Sequence, residues 1–314
     1  MRAHIKKGNQ FMSDKRRYLV IGSQGFQGAA VARHLQADGH EVRGFTRSGA
    51  NPAQGAPDIH TVYGDLAELD DVRKAFDGIT HASVVLPLVY DQELVQTYAR
   101  NVVTAAEEAG IARLVYNTNT PVPAEITPYA AYETRRAAEL VLRESGLPVV
   151  VLRPPVYLDN LFSPWNGPAL VNDGVLAYPL PTDRKVAWIS HTDLAVATVA
   201  ALHCDGIEGE VLSLGGPNAV DGVELAAAFG AALGKEISYV PLEVAQFEAG
   251  LREVLGDSAA SGVAGIYRWA AQTPDQELFA GDHAEVERVL GVRMTPITEW
   301  VAAQHWDVWA ASKA

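Results

Sequence analysis

Residues 18–28 read YLVIGSQGFQG, an apolar run that opens into three glycines spaced G-x-x-G-x-x-G. Tyr18–Ile21 has the length and apolar continuity of a buried strand. Behind the glycines, Gln27–Asp38 carries Val31 and Leu35 four apart and stops at Gly39, which reads as a helix. Strand, glycine turn and helix in that order are the context in which such a triplet holds a dinucleotide. Gly22 permits the tight turn, Gly25 lets the backbone approach a pyrophosphate, and Gly28 allows close helix–sheet packing. The helix N-terminus faces the anion. Gln24, Phe26 and Gln27 occupy the positions between the glycines and border the same ligand. The competing explanation is an ordinary tight turn, which the placement between first strand and first helix disfavours.

Outward from this turn, strand and helix patterns alternate. Glu41–Thr46, Thr61–Tyr63, Ala82–Leu86, Leu114–Tyr116 and Val149–Leu152 read as strands. Asp70–Phe76, Asp91–Ala109 and Tyr129–Ser145 read as helices, each followed by a glycine. Apolar strands alternating with helices predict a parallel sheet covered on both faces. Right-handed crossovers make it a doubly wound α/β fold with ligands at the carboxyl ends of the strands. The expected organisation is a leader over residues 1–16 and a dinucleotide-binding domain over 17–153. A smaller C-terminal substrate lobe follows over 154–314, with segments near 186–215 rejoining the first domain. In the second half, 153–181 is rich in Pro, Asn, Gly and aromatics. Asp193–Leu202, 221–233, 243–255 and 282–290 read as helices and Val211–Leu214 as a strand.

Composition excludes several classes. At 314 residues, with 48% hydrophobic and 20% charged, the chain is long enough to bury a core and too apolar for global disorder. A net charge of -13 argues against nucleic acid as a partner, since phosphate binding needs clustered Lys and Arg. The only basic cluster (Lys6, Lys7, Lys15, Arg16, Arg17) precedes the first strand and reads as a solvated leader; Met12 offers an alternative start. Cys204 is the lone cysteine, so neither an intrachain disulfide nor a Cys-based zinc site is expected. The nine His show no metal-ligand spacing, and no metal is expected. No stretch approaches the roughly 18 apolar residues of a membrane span, and no secretory signal opens the chain. A cytoplasmic protein with a small-molecule substrate is expected, with a homodimer the one assembly entertained.

The end of the second strand bears on the cofactor. An acid there binds the ribose hydroxyls of NAD; this chain has Thr46-Arg47-Ser48. A guanidinium grips a 2′-phosphate in bidentate fashion and Ser48 adds a hydroxyl, which points to NADP. Asp65 and Leu66 follow the third strand beside the adenine position, with Asp65 equally suited to start a helix. Leu86, Pro87 and Asn117 lie at the ends of the fourth and fifth strands, on the same crevice.

These residues resemble the NmrA-like group of atypical short-chain dehydrogenases/reductases. Besides the glycine turn and Arg47, the matching features are Tyr63-Gly-Asp65-Leu66, the stretch from Ala105 to Gly110, Glu139, Leu152-Arg-Pro154, Tyr157 and Asn160. The resemblance is strong over about residues 17–200. It implies a Rossmann domain with a small substrate lobe. It also implies either an NADP(H)-dependent reductase of quinones or phenolic carbonyl and alkene compounds, or an NADP-binding regulator without turnover.

The catalytic pattern departs from the wider dehydrogenase group, which uses Tyr-x-x-x-Lys with a Ser after the fifth strand. Glu139 and Gly146 align Arg135 with the Lys, Ala131 with the Tyr and Asn119 with the Ser. A shift of one residue gives Tyr132-x-x-x-Arg136, which makes Tyr132 the candidate acid. The competing explanation is that Tyr132 packs and Arg135 pairs with Glu139 on the surface. Arg135 is also a candidate neighbour of the cofactor ribose. Thr118, Asn119 and Thr120 either orient a carbonyl or cap the loop before Pro121. His191 lies in Ser190-His-Thr-Asp193, which reads as a helix N-terminus capped by Asp193 or Thr192. Tyr157, Phe162, Trp165 and Trp188 either line an aromatic pocket or pack the lobe. The sequence therefore predicts an NADPH-dependent reductase of a small hydrophobic carbonyl or quinone-type compound. The alternatives are a non-catalytic NADP sensor and a non-redox epimerase or dehydratase that retains the cofactor.

Overall fold

The computed structural model describes residues 16–48, 53 and 55–311. Apart from Arg16, the expected leader lies outside them, as does most of the loop after Ser48. The described strands are β1 (Arg17–Ile21), β2 (Glu41–Thr46), β3 (His60–Tyr63), β4 (His81–Val85), β5 (Arg113–Asn117), β6 (Val149–Arg153), β7 (Val175–Tyr178), β8 (Val211–Ser213) and β9 (Ser238–Pro241). The α-helices are α1 (Phe26–Ala37), α2 (Leu69–Phe76), α3 (Gln92–Ala109), α4 (Ala130–Glu144), α5 (Gly167–Asp173), α6 (His191–His203), α7 (Gly222–Leu233), α8 (Val244–Leu255), α9 (Asp257–Gln272), α10 (His283–Leu290) and α11 (Ile297–Ala303).

Seven strands form one sheet in the order β3-β2-β1-β4-β5-β6-β8, with every neighbouring pair parallel. This is the doubly wound Rossmann arrangement. The alternation along β1 explains why both faces are covered. Tyr18 and Val20 enter a core with Val31 and Leu35 of α1 and Leu194 and Leu202 of α6. Leu19 and Ile21 enter the opposite core with Val72, Val95, Val102 and Leu142 from α2, α3 and α4. Side chains two apart along a strand share a face, so one apolar run serves both layers. Each fully buried Leu or Val contributes about 1.5–3 kcal/mol. The strand order reverses between β1 and β4, which opens a crevice at their carboxyl ends.

The remaining elements build a lobe over that crevice around a third core that includes Leu176, Tyr178, Trp188, Phe229, Tyr267 and Trp300. Its two-stranded sheet pairs β7 with β9. From the second half, β8 is the last strand of the large sheet, and Val286, Leu290 and Met294 pack into the core beside α1 and α6.

Five elements of this half are not read from the sequence: α5, β7, β9, α9 and α11. The most consequential is α9, whose residues 258–265 read SAASGVAG and give little apolar periodicity. One of its two glycines, Gly262, has a tertiary reason. A Cβ on Gly262 would fall 1.9 Å from the Tyr90 ring. The small residue lets α9 lie against the crevice wall.

Candidate active site

A cleft of about 590 Å³ lies along the carboxyl ends of β1, β2, β4 and β5 and continues beneath α9. At its centre is the glycine turn. Gly22 has φ +79°, in the left-handed region, and its N–H donates to Phe45 O at 2.9 Å. Gly25 N–H donates to Gly22 O at 2.9 Å, closing the turn. A Cβ on Gly28 would sit 2.2 Å from Gly22 O, so internal packing alone requires that glycine. Gly25 differs: its backbone is ordinary extended (φ -81°, ψ 162°), and a Cβ would meet only Gly22 O at 3.4 Å. The protein itself leaves room there. Helix α1 has no side-chain cap and no acid in its first turn, so its N-terminal N–H groups and positive dipole end face the cleft.

Arg47 and Ser48 line one end of the cleft with Gly64, Asp65 and Leu66. Asp65 does not cap α2. Its carboxylate accepts from Ala67 N at 2.9 Å in a local turn, and its own N–H donates to Asp71 at 3.2 Å. Leu86, Pro87, Leu88 and Tyr90 form the opposite wall. Gln24, Phe26, Gln27 and Asn119 also line the cleft, whereas Asn117 stands behind it. Asn117 Nδ2 donates to Gln27 Oε1 at 2.6 Å, and its Oδ1 accepts from Asn119 N–H at 2.8 Å. Gln27 in turn donates to Asn119 Oδ1. This triangle ties the start of α1 to the end of β5. Asn119 is held at φ 67°, the only positive φ of a non-glycine among the described residues.

Tyr132 and Arg136 do not form the acid–cation pair read from the one-residue shift, since Arg136 donates to Glu133, Pro123 O and Glu125 O, and Arg135 also lies away from the cleft. Arg135 is 2% exposed and does not line the cleft. Its guanidinium donates to Pro87 O at 3.0 Å and Val89 O at 3.4 Å and lies 5.6 Å from the Tyr90 ring centroid. It braces the wall from behind. The anticipated surface pair with Glu139 does not form: buried Glu139 takes Arg143 and Arg153 instead. Tyr132 is fully buried, donates to Ile266 O at 3.2 Å, and does not reach the cleft. Burial pushes its phenol far above the ordinary tyrosine range. The one-residue shift turns its side chain towards α9, where a proton donor meets packing rather than ligand. Thr118 is likewise occupied, donating to Thr120 O at 2.6 Å.

Of the four lobe aromatics, only Tyr157 lines the cleft. Phe162 packs on Trp306 and Trp309, Trp188 packs on Tyr178, and Trp165 is 48% exposed. The far end of the cleft is instead lined by Tyr90, Pro155, Val156, Asn160, His191, Val263, Ile266 and Tyr267. Helix α6 begins with a capping box in which Ser190 is the cap, and Asp193 returns a bond to Ser190 N–H at 3.2 Å. Asp193 thus supports the cap, while His191 projects to the cleft. Nothing in local sequence links His191 to Asp159, yet the fold pairs them, His191 Nδ1 lying 3.3 Å from Asp159 Oδ1. Among the described residues, no group of three or more His, Cys, Asp or Glu could hold a metal.

Three buried polar atoms on the cleft lining make no hydrogen bond within the described protein: Gln24 Oε1, Thr120 Oγ1 and Tyr157 Oη. Asn117 lies close enough to Tyr157 to offset part of the rise that burial imposes on its phenol, without reaching hydrogen-bond geometry. Unpartnered buried polar atoms cost about 1–3 kcal/mol each. These orphans, the open space over Gly25 and the uncapped α1 fit an elongated anionic ligand such as a dinucleotide.

The sequence matches the NmrA-like family over residues 14–300. The chain belongs to this family. This NmrA-like protein is 31% identical over 246 residues to an NAD(P)H azoreductase of Xenophilus azovorans, an alignment covering 76% of this chain and 84% of that one. It is 30% identical over 213 residues to quinone oxidoreductase 2 of Escherichia coli, covering 68% and 71%. Its fold matches the crystal structure of Citrobacter sp. triphenylmethane reductase complexed with NADP(H) at a TM-score of 0.70 and 22% identity, over 91% of this chain and 98% of that chain. Among the described residues, no helix is long and apolar enough to cross a membrane.

Proposed function

We propose that this NmrA-like protein is an NADPH-dependent reductase of small hydrophobic compounds of the quinone or carbonyl type. The observation that carries this reading is one continuous cleft with a glycine cradle at its centre, Arg47 and Ser48 at one end, and an apolar, aromatic chamber at the other. The turn from Gly22 to Gly28 and the α1 N-terminus would hold the pyrophosphate. Arg47 is exposed and makes no ion pair among the described residues, so its guanidinium is available to a 2′-phosphate. Gln27 and Asn119, fixed by Asn117, would position the nicotinamide half. When bound, the reduced nicotinamide supplies a hydride.

The chain's own part is orientation and exclusion of water. Val263, Ile266 and Tyr267 from α9 line the chamber together with Tyr90 and Leu88 and would give a flat substrate apolar walls. Ala131 stands where the wider group has its acid, which suits substrates needing little help from one, such as quinones. The names of the relatives, an azoreductase and a quinone oxidoreductase, support the same class. The test is NADPH oxidation followed by absorbance with 1,4-benzoquinone, a sulfonated azo dye and an aromatic ketone. Turnover with the quinone above the ketone is expected. Tight NADPH binding with no oxidation by any of the three would reject the reductase and favour a cofactor sensor.

A further inference from the structure

The chamber holds a pair of side chains to which no sequence motif points. Asp159 follows β6 and His191 opens α6, separated by 32 residues, and the fold joins them at the cleft. The contact is double. Asp159 Oδ2 accepts from the His191 backbone N–H at 2.8 Å, and Oδ1 lies 3.3 Å from the ring Nδ1. The imidazole is also held between rings, with centroids 4.7 Å from Tyr157 and 6.1 Å from Phe26 at an interplanar angle of 14° for the latter. Burial raises the Asp159 carboxyl, but the hydrogen bonds and charge of His191 more than offset this and hold it below the ordinary range. It therefore stays a carboxylate and stands beside Nδ1 as an ion-pair partner; in the imidazolium both ring nitrogens carry hydrogen, so Nε2 then has one to donate. Nε2 has no hydrogen-bond partner among the described residues, and His191 lines the cleft with its side chain 13% exposed.

Other candidate proton donors on the cleft are poorly placed. Tyr90, Tyr98, Tyr157 and Tyr267 are all raised by burial. Asp65 and Arg47 stand at the other end, and Asp193, on the same helix as His191, is taken up by Ser190 and Thr295. Imidazole is the side chain whose ordinary titration spans neutrality.

We propose that His191 is the catalytic proton donor of this chamber and that Asp159 is its positioning residue. The inference rests on the reductase reading. A bound reduced nicotinamide would supply the hydride that adds to the substrate as the carbonyl or quinone π system opens. The substrate oxygen would take the Nε2 proton of the His191 imidazolium, and the neutral imidazole left behind would regain a proton from solvent at the cleft mouth. The products are the alcohol or hydroquinone and the oxidised nicotinamide. The acid comes from α6 in place of the absent Tyr on α4.

The test compares His191→Gln and Asp159→Asn with the unmutated protein. Expected are NADPH affinity within about twofold in both variants and, in His191→Gln, kcat for the ketone reduced by about 10²–10⁴, the range of general acid catalysis, with a much smaller loss for the quinone. Asp159→Asn should lose less, and the fall in kcat/KM with rising pH should disappear only in His191→Gln. A binding readout without turnover uses 2-hydroxy-1,4-naphthoquinone, an anionic product mimic, titrated into the cofactor-free protein by fluorescence. His191→Gln should weaken it by about tenfold or more, the scale of one hydrogen bond to a charged group. Unchanged kcat, an unchanged pH profile, or unchanged mimic affinity in His191→Gln would overturn the donor assignment. An unmutated protein that binds NADPH but reduces none of the substrates would instead overturn the reductase reading.

Discussion

Gly25→Ala separates two reasons for a glycine that the sequence leaves merged. At Gly28 a new Cβ would press 2.2 Å from Gly22 O and 2.6 Å from Gly22 C, both backbone atoms that cannot swing aside. Gly28→Ala should therefore destabilise the fold by about 1–3 kcal/mol or more. At Gly25 the φ of -81° is open to any residue, and the nearest heavy atom to a new Cβ is 3.4 Å away. Removing glycine's freedom in the unfolded chain then stabilises by about 0.4–1 kcal/mol. With an unfolding entropy of about 2.1 cal/mol/K per residue, this 314-residue chain shifts Tm by roughly 1.5 °C per kcal/mol. Gly25→Ala should melt at the same temperature or about 1 °C higher, and Gly28→Ala about 2–5 °C lower. Binding should go the other way from stability at Gly25. The methyl would stand where the proposed pyrophosphate site meets the α1 N-terminus, and losing one charge-assisted hydrogen bond weakens affinity by about 10- to 100-fold. Calorimetric titration of NADPH and thermal melts of both variants measure the two effects. NADPH affinity within twofold of normal in Gly25→Ala would refute the placement of the pyrophosphate. A melt several degrees lower would show that packing requires this glycine too.

Arg47→Asp should leave Tm unchanged, since the side chain is exposed, and weaken NADPH more than tenfold while sparing NADH; equal affinity of the unmutated protein for both cofactors would refute the 2′-phosphate assignment. Tyr132→Phe should cost about 1 kcal/mol for the lost bond to Ile266 O and leave kcat within about threefold; a drop of a hundredfold would restore it as the acid. His81 carries a pH signature. Burial, with smaller effects from Arg16 and other cations, lowers it from 6.5 to about 4. Between those values the unfolded chain binds a proton that the folded chain refuses, so stability is full above the higher value and falls as pH drops towards the lower. At about pH 5 the loss is up to about 2 kcal/mol, or roughly 3 °C in Tm. Neighbouring His203 is lowered in the same sense. His81→Gln should flatten this part of the Tm–pH curve, and an unaltered slope would assign it to other groups.

Local sequence determined the dinucleotide half of this protein. The run Tyr18–Ile21, the glycine spacing and the regular return of apolar strands are short-range patterns, and parallel strands buried on both faces have few alternatives. Element boundaries there shift by a residue or two: the fourth strand is His81–Val85 rather than Ala82–Leu86, and α4 is Ala130–Glu144 rather than Tyr129–Ser145. The wall position of Leu86 and Pro87 follows from the same logic, because strand ends converge on the switch point.

Tertiary structure alone decided the chemistry at the other end. Helix α9 is poor in apolar periodicity because its small residues serve close approach to Tyr90, a contact between segments more than 150 residues apart. Whether Tyr132 faced ligand or core depended on α9 covering it. Whether Arg135 was a surface ion or a brace depended on where the carbonyls of Pro87 and Val89 came to lie. Asp159 and His191 are unremarkable where they stand in the chain. They become a dyad only because β6 and the start of α6 end at the same rim, where one carboxylate meets both the ring and the backbone of one histidine. Hydrophobic patterning fixes which face of an element is buried, but not which distant element buries it, and a site built from the ends of several elements exists only after that pairing is made.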